Sequence, residues 1–268
     1  MAEQKLASKR EVIVLAAGLI VGFVAGFALA NGVNRGEHDR LRAELTRLRS
    51  GGAGSGTEPG RPAAAADSGD ATVIPDLTQE QLRKAVADAD ARPGDLELQR
   101  TAGQGLYLYA MQKGDASILP DAARILRRAH DADPKDYQLA VIAANAHFVV
   151  ARSGGDSAAL KSARELYEAA LAEKPDDVIA RTSLGLTYFY DRPPDVRRAV
   201  REYRRALEVN PRHEMTLQSL AAALVEAGEL EEAARRLSEL ESVNAENSEL
   251  ANLRAQLEQK RNAAREKP

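Results

Sequence analysis

The chain has 268 residues, room for one or two domains, and a formal net charge of −3 with acidic and basic residues mixed along its length. That balance excludes the global basic field that draws nucleic acid, so no nucleic-acid partner is expected. The absence of cysteine excludes disulfides, thiolate metal sites, a lipidated N-terminal cysteine and a cysteine nucleophile, while abundant Ala, Leu, Glu and Arg without Trp favour an all-α fold.

Residues 1–11 form a short tail carrying Lys5, Lys9 and Arg10. From Val12 to Ala30 no residue is charged, and these nineteen residues as a helix rise roughly 28 Å, close to the hydrocarbon thickness of a bilayer. The segment 12–33 is therefore expected to be a single transmembrane signal anchor. No other segment is apolar on all sides, which argues against a buried core helix. Ala28-Leu29-Ala30 has the small-x-small form of a signal-peptidase site, so cleavage after Ala30 stays open as the alternative. The arginines Arg35, Arg40, Arg42, Arg47 and Arg49 after the segment would place the C-terminal side in the cytoplasm by flanking charge alone. Lys9-Arg10 abuts the apolar run directly, however, and large domains translocate with little regard to charge. The expected location is the inner (cytoplasmic) membrane, single-pass, with the C-terminal domain periplasmic or extracytoplasmic. Gly18, Gly22 and Gly26 share one helix face, a spacing that lets two membrane helices approach closely and form a homo-oligomer; glycine is also simply common in such helices.

Residues 34–50 read as a helical stalk, with Leu41, Leu45 and Leu48 at helical spacing and too few heptads for a coiled coil stable by itself. Residues 51–72 are Gly/Ala/Ser/Pro-rich, a flexible linker spanning roughly 26 Å root-mean-square. Their glycines neither follow a strand nor lead into a Lys-Ser/Thr pair, so a phosphate loop is rejected.

The helical domain occupies 73–268. Thr78, with Gln81 three residues on, caps an opening helix that closes at Arg92-Pro93. Pro93, Pro134 and Pro175 then lie 41 residues apart, with Pro211 following 36 later. Gly103, Ala144, Gly185 and Ala221 keep the same spacing, and Ala122, Ala163, Ala199 and Ala233 track them in the second helices at intervals of 41, 36 and 34. Leu126, Tyr167, Tyr203 and Leu237 track them, and so do Ala129, Ala170, Ala206 and Leu240. Such matched series imply four helical hairpins, at about 94–134, 135–175, 176–211 and 212–245. Extra residues fall between paired helices, around Lys113-Gly114-Asp115, Ser153-Gly154-Gly155-Asp156 and Asp191-Arg192-Pro193-Pro194, where insertion costs least. Leu250, Leu253 and Leu257 mark a capping helix at 247–265.

Leu184, Gly185 and Tyr188, followed by Ala199, Tyr203, Ala206 and Pro211, resemble the signature of the tetratricopeptide repeat (TPR). The resemblance implies an α-solenoid whose concave surface is lined by the first helix of each unit. The family's groove register falls on Arg100, Gln104, Tyr107, Asn145, Phe148, Thr182, Leu186, Phe189, Tyr190, Gln218 and Val225. Tyr107, Phe148 and Phe189 lie 41 residues apart, an aromatic row bordered by amides that suits an extended peptide or an amphipathic helix; packing inside the stack is the alternative role. Ile179 and Ser183 stand where a carboxylate clamp of the family needs basic residues, which argues against one.

No catalytic residues, cofactor or metal ligands are expected. His38, His130, His147 and His213 lack metal-ligand spacing. His130 near a helix C-terminus suits a partly charged ring, and His147 suits core packing. Arg197, Arg198, Arg201, Arg204 and Arg205 make a basic helix face read as solvated. The layout is similar to bacterial envelope and cytochrome c maturation-type TPR proteins with an N-terminal anchor. That implies a non-enzymatic scaffold for protein or peptide partners, held to the membrane through residues 12–30. Two alternatives stay open: a structural membrane oligomer assembled through the glycine-spaced anchor and stalk, and a non-catalytic subunit of a membrane enzyme complex.

Overall fold

The computed structural model describes residues 76–265, so the expected anchor with Gly18, Gly22 and Gly26, the stalk and the linker lie outside the described residues. Among the described residues, no helix is long and apolar enough to cross a membrane. The first helix, α1 (Gln79–Ala91), starts at a capping box. The Thr78 hydroxyl accepts from the Gln81 N–H at 3.2 Å, and the Gln81 side chain accepts from the Thr78 N–H at 2.8 Å.

Four antiparallel hairpins come next. They pair α2 (Leu96–Lys113) with α3 (Leu119–Ala132), α4 (Tyr137–Gly154) with α5 (Ser157–Glu173), α6 (Val178–Phe189) with α7 (Val196–Val209), and α8 (Glu214–Ala227) with α9 (Leu230–Val243). Asp95, Asp136 and Asp177 begin three of the first helices, each accepting first-turn N–H groups, a cap worth about 1 kcal/mol. Gly114 and Gly155 close α2 and α4 at φ +67° and +69°, a left-handed turn that glycine adopts without strain. The extra residues of the first two units extend their first helices to 18 residues, against 12 in α6 and 14 in α8. Lengthening a helix by a turn adds backbone hydrogen bonds where a longer loop would add none.

The repeated positions are the core. Ala122, Ala163, Ala199 and Ala233 are wholly inaccessible to solvent, and Leu126, Tyr167, Tyr203 and Leu237 are buried beside them. Each large side chain so buried contributes about 1.5–3 kcal/mol. The small residue opposite makes room: a Cβ added to Gly103 would lie 2.7 Å from Leu126, and one at Gly185 would lie 2.4 Å from the Tyr203 ring. The second helix of each hairpin packs on the first helix of the next, so the hairpins stack into a solenoid.

Both ends are closed by single helices. Gln99 Nε2 donates to the carbonyls of Ala89 and Arg92 at 2.7 and 3.0 Å, while the Tyr109 hydroxyl donates to that of Leu77. Helix α1 thus runs antiparallel to α2, as a second helix without its own partner among the described residues. At the other end α10 (Leu250–Arg265) lays Leu250, Leu253 and Leu257 on α8 and α9 and turns its charged face outward.

Candidate protein-binding surface

The first helices of successive units are joined near their N-termini by polar side chains. Arg100 of α2 donates to Asp136, the N-cap of α4, at 2.5 Å. The Tyr137 hydroxyl of α4 donates to Asp177, the N-cap of α6, with the Lys174 ammonium 3.7 Å over the Tyr137 ring. At the next junction Thr182 donates to the Val178 carbonyl at 2.7 Å, which leaves its oxygen to accept from Thr216 at 2.6 Å. His213 Nδ1 lies 2.6 Å from the Thr216 hydroxyl, which extends the hydrogen-bonded chain to the loop before α8. Gln218 accepts from Asn247 at 3.0 Å at the start of the cap. Arg100, Thr182 and Gln218, all expected on the groove, therefore hold one unit to the next.

The expected aromatic row is not an open strip. Tyr107 and Phe148 are only 6% and 7% exposed, and Gln104, Asn145, Thr182 and Val225 are buried as well. Asn145 accepts from the Tyr167 hydroxyl at 2.6 Å, so its amide works between the two helices of its own hairpin. Phe148 meets Tyr190 of the following unit with ring centroids 6.2 Å apart. The physical reason is stacking: the stripe that would face a ligand in one unit is desolvated by the next unit. Burial accordingly pushes the Tyr107 and Tyr167 hydroxyls well above the usual tyrosine range.

Leu186, Phe189 and Tyr190 keep partial exposure. Phe189 packs edge-on against Tyr190, with centroids 5.4 Å apart and planes at 77°. The Arg152 guanidinium lies 3.6 Å above the Tyr190 ring centroid. The row thus contracts to one aromatic and cationic patch where the end of α4 overlies the end of α6. Arg152 is absent from the sequence-derived groove, because only the added turn of α4 carries it to Tyr190.

The basic face of α7 is largely neutralised. Arg198 pairs with Asp195, Arg204 with Glu229 and Glu232, and Arg205 with Glu202, leaving Arg197 and Arg201 without ion pairs among the described residues. His130 is buried, and desolvation lowers its pKa and favours the neutral ring, against the expectation of a partly charged one. Desolvation lowers His147 and His213 in the same way. No group of His, Asp or Glu among the described residues is placed to hold a metal ion.

Residues 195–257, which span α7, the last full hairpin and the first half of α10, match the tetratricopeptide repeat family model. Among solved structures the chain is similar to YrrB, described as a TPR protein with an unusual peptide-binding site. The identity is 12%, over 66% of this chain and 83% of that one, at a TM-score of 0.53. It also resembles MamA (residues 41 to the end) from Desulfovibrio magneticus RS-1, at 18% identity over 63% of this chain and 87% of that one, TM-score 0.49. A third neighbour is TTC0263, a thermophilic TPR protein of Thermus thermophilus, at 17% identity over 68% and 97%, TM-score 0.47. No curated protein matches the chain significantly. The described fold is an all-helical, TPR-like solenoid.

Proposed function

We propose that the chain is a non-catalytic, membrane-anchored scaffold that holds a peptide or helical segment of a partner protein on its inner surface. The observation that carries this reading is the patch of Leu186, Phe189 and Tyr190, partly exposed beneath Arg152 on helices whose other inward positions are sealed. Aromatic rings with a guanidinium beside them supply rigid contact area at low entropic cost, the composition that dominates binding hot spots. YrrB, whose fold this chain shares, is described as having a peptide-binding site. The anchor rests on the uncharged run Val12–Ala30, and the extracytoplasmic placement on Lys9-Arg10 before it. Assembly of envelope complexes or maturation of c-type cytochromes suits that layout by family analogy. The spacing of Gly18, Gly22 and Gly26 favours a second reading, a structural membrane oligomer.

The test places a photoreactive benzoylphenylalanine at Phe189, and separately at Arg201 on the basic face, in full-length protein in its native membrane. Partner crosslinks from position 189 and none from 201 are expected, and they should fade in an Arg152→Ala/Tyr190→Ala background with unchanged melting. Equal crosslinking from both positions would remove the inner patch from consideration. Crosslinks between identical chains alone would favour the oligomer. Retention of the protein in the membrane after alkaline carbonate extraction tests the anchor.

A further inference from the structure

The four first helices start at places set by the repeat, and the fourth start differs in chemistry. Asp95, Asp136 and Asp177, 41 residues apart, are the N-caps of α2, α4 and α6, and each carboxylate accepts first-turn N–H groups. The next place in the series, 36 residues on, is His213, the N-cap of α8, whose side chain makes no bond to the first-turn backbone. Its Nδ1 lies instead 2.6 Å from the Thr216 hydroxyl, and Thr216 is in turn 2.6 Å from Thr182 of α6. Thr182 and Thr216 are wholly buried, so the histidine ring closes the outer end of the polar contact that joins α6 to α8.

An aspartate at a helix start keeps its charge down to about pH 4 and complements the positive end of the helix, whereas a histidine that takes up a proton opposes it. The charged groups facing the His213 ring are Asp177 at the start of α6 and Glu214 on α8 itself. Both carboxylates are already engaged. Asp177 accepts from the Tyr137 hydroxyl and from the N–H groups of Ile179 and Ala180, and Glu214 accepts from the side chains of Asn244 and Asn247, each at 2.7 Å. Arg212, next in the chain, reaches away to the Ser242 carbonyl of α9 at 3.3 Å. Either neutral tautomer can share the hydrogen bond with Thr216, so that bond does not set the response to acid. The charge does. An imidazolium here is half-buried at the positive end of α8, and burial outweighs the pull of Asp177 and Glu214, holding the ring below the usual histidine range.

We infer that the joint between the third and fourth units is an acid-sensitive switch, in which proton uptake by His213 releases the start of α8 from α6 while the aspartate-capped starts of α4 and α6 hold. The sign follows from linkage. The open joint binds the proton first, so the closed form is favoured in full above about pH 6.5 and loses that advantage as pH falls toward the lowered folded value. Leu186 of α6 and Ala222 of α8 hold equivalent, half-buried positions on the inner face, so release of α8 reshapes the surface beside the Phe189/Tyr190 patch. The switch does not depend on what that patch binds.

Hydrogen–deuterium exchange of full-length protein in detergent, at about pH 7.5 and about pH 5.5, tests the switch when read by mass spectrometry and corrected for the intrinsic pH dependence of exchange. The Leu217 N–H donates to the His213 carbonyl at 3.0 Å, and the Arg181 N–H donates to that of Asp177 at 3.0 Å, so segments 212–219 and 176–183 are matched helix starts. Protection of 212–219 should fall at least about threefold on acidification, and that of 176–183 should not change. His213→Asp restores the residue of the other three units and should abolish the fall. His213→Asn, a neutral cap, should do the same, and it carries the test if circular dichroism finds the aspartate variant unfolded. No fall in the native chain, an equal fall in both segments, or a fall that persists without His213 would each overturn the inference.

Discussion

Gly185 lies directly beneath the ring of Tyr203, so closely that a Cβ on residue 185 would sit 2.4 Å from Cε1 and 2.7 Å from Cδ1. Tyr203 is wholly buried and its ring has no direction in which to retreat. Gly185→Ala should therefore destabilise the third unit by about 1–3 kcal/mol through overpacking. Gly105 is the contrasting case, a mid-helix glycine with nothing within 4 Å of an added Cβ. Gly105→Ala should stabilise by about 0.5–1 kcal/mol through helix propensity. Urea melts of both variants check the pair, and stabilisation of both would show that helix propensity rather than packing governs both positions.

The Arg100–Asp136 bridge joins the first two units with both side chains about one-fifth exposed. A double-mutant cycle with Arg100→Ala and Asp136→Ala should give a coupling of about 1 kcal/mol. Asp136→Ala should cost more by itself than Arg100→Ala, since it also removes the cap on the Leu139 N–H. A coupling near zero would mean that the two groups are held apart in solution.

Removing the Tyr167 hydroxyl with Tyr167→Phe leaves Asn145 buried, with neither its oxygen nor its Nδ2 hydrogen-bonded. A loss of about 1–3 kcal/mol is expected. The double variant Asn145→Leu/Tyr167→Phe should recover part of it, because the desolvated amide is then gone as well. Failure of that recovery would place the cost in ring packing instead.

Stability should fall on acidification in two stages. His130, His147 and His213 all have folded-state pKa values lowered, chiefly by desolvation, so the unfolded chain binds their protons first. Their contribution is full above the unfolded value of about 6.5 and is lost as pH falls from there toward the lowered folded values. A second loss comes below about pH 4, where Asp90 of the unfolded chain takes up its proton while the folded one, held down to about 2 mainly by hydrogen bonds from Arg124 and Arg128, stays ionised. Urea midpoints across the range measure both stages, and His147→Phe should flatten the first while leaving the second. A flat profile between about pH 7 and 5 would contradict the first stage.

The periodic positions determined the solenoid by themselves. Glycine or alanine recurring in each first helix, with Leu126, Tyr167, Tyr203 and Leu237 recurring in each second helix, points to one close crossing per hairpin, and the structure buries each large side chain there. The Thr78/Gln81 start of α1 was legible for a similar reason, since a capping box is a local bond between residues three apart. The binding surface was not. Register places Tyr107, Phe148 and Phe189 alike, 41 residues apart, yet only Phe189 keeps part of its surface, because exposure depends on what the next unit lays over each position. The Arg152–Tyr190 stack joins two hairpins, and which partner each charge finds is a matter of tertiary distance. Local chemistry and periodicity set the helices and their stacking, and the three-dimensional packing alone decided which side chains remain free to meet a partner.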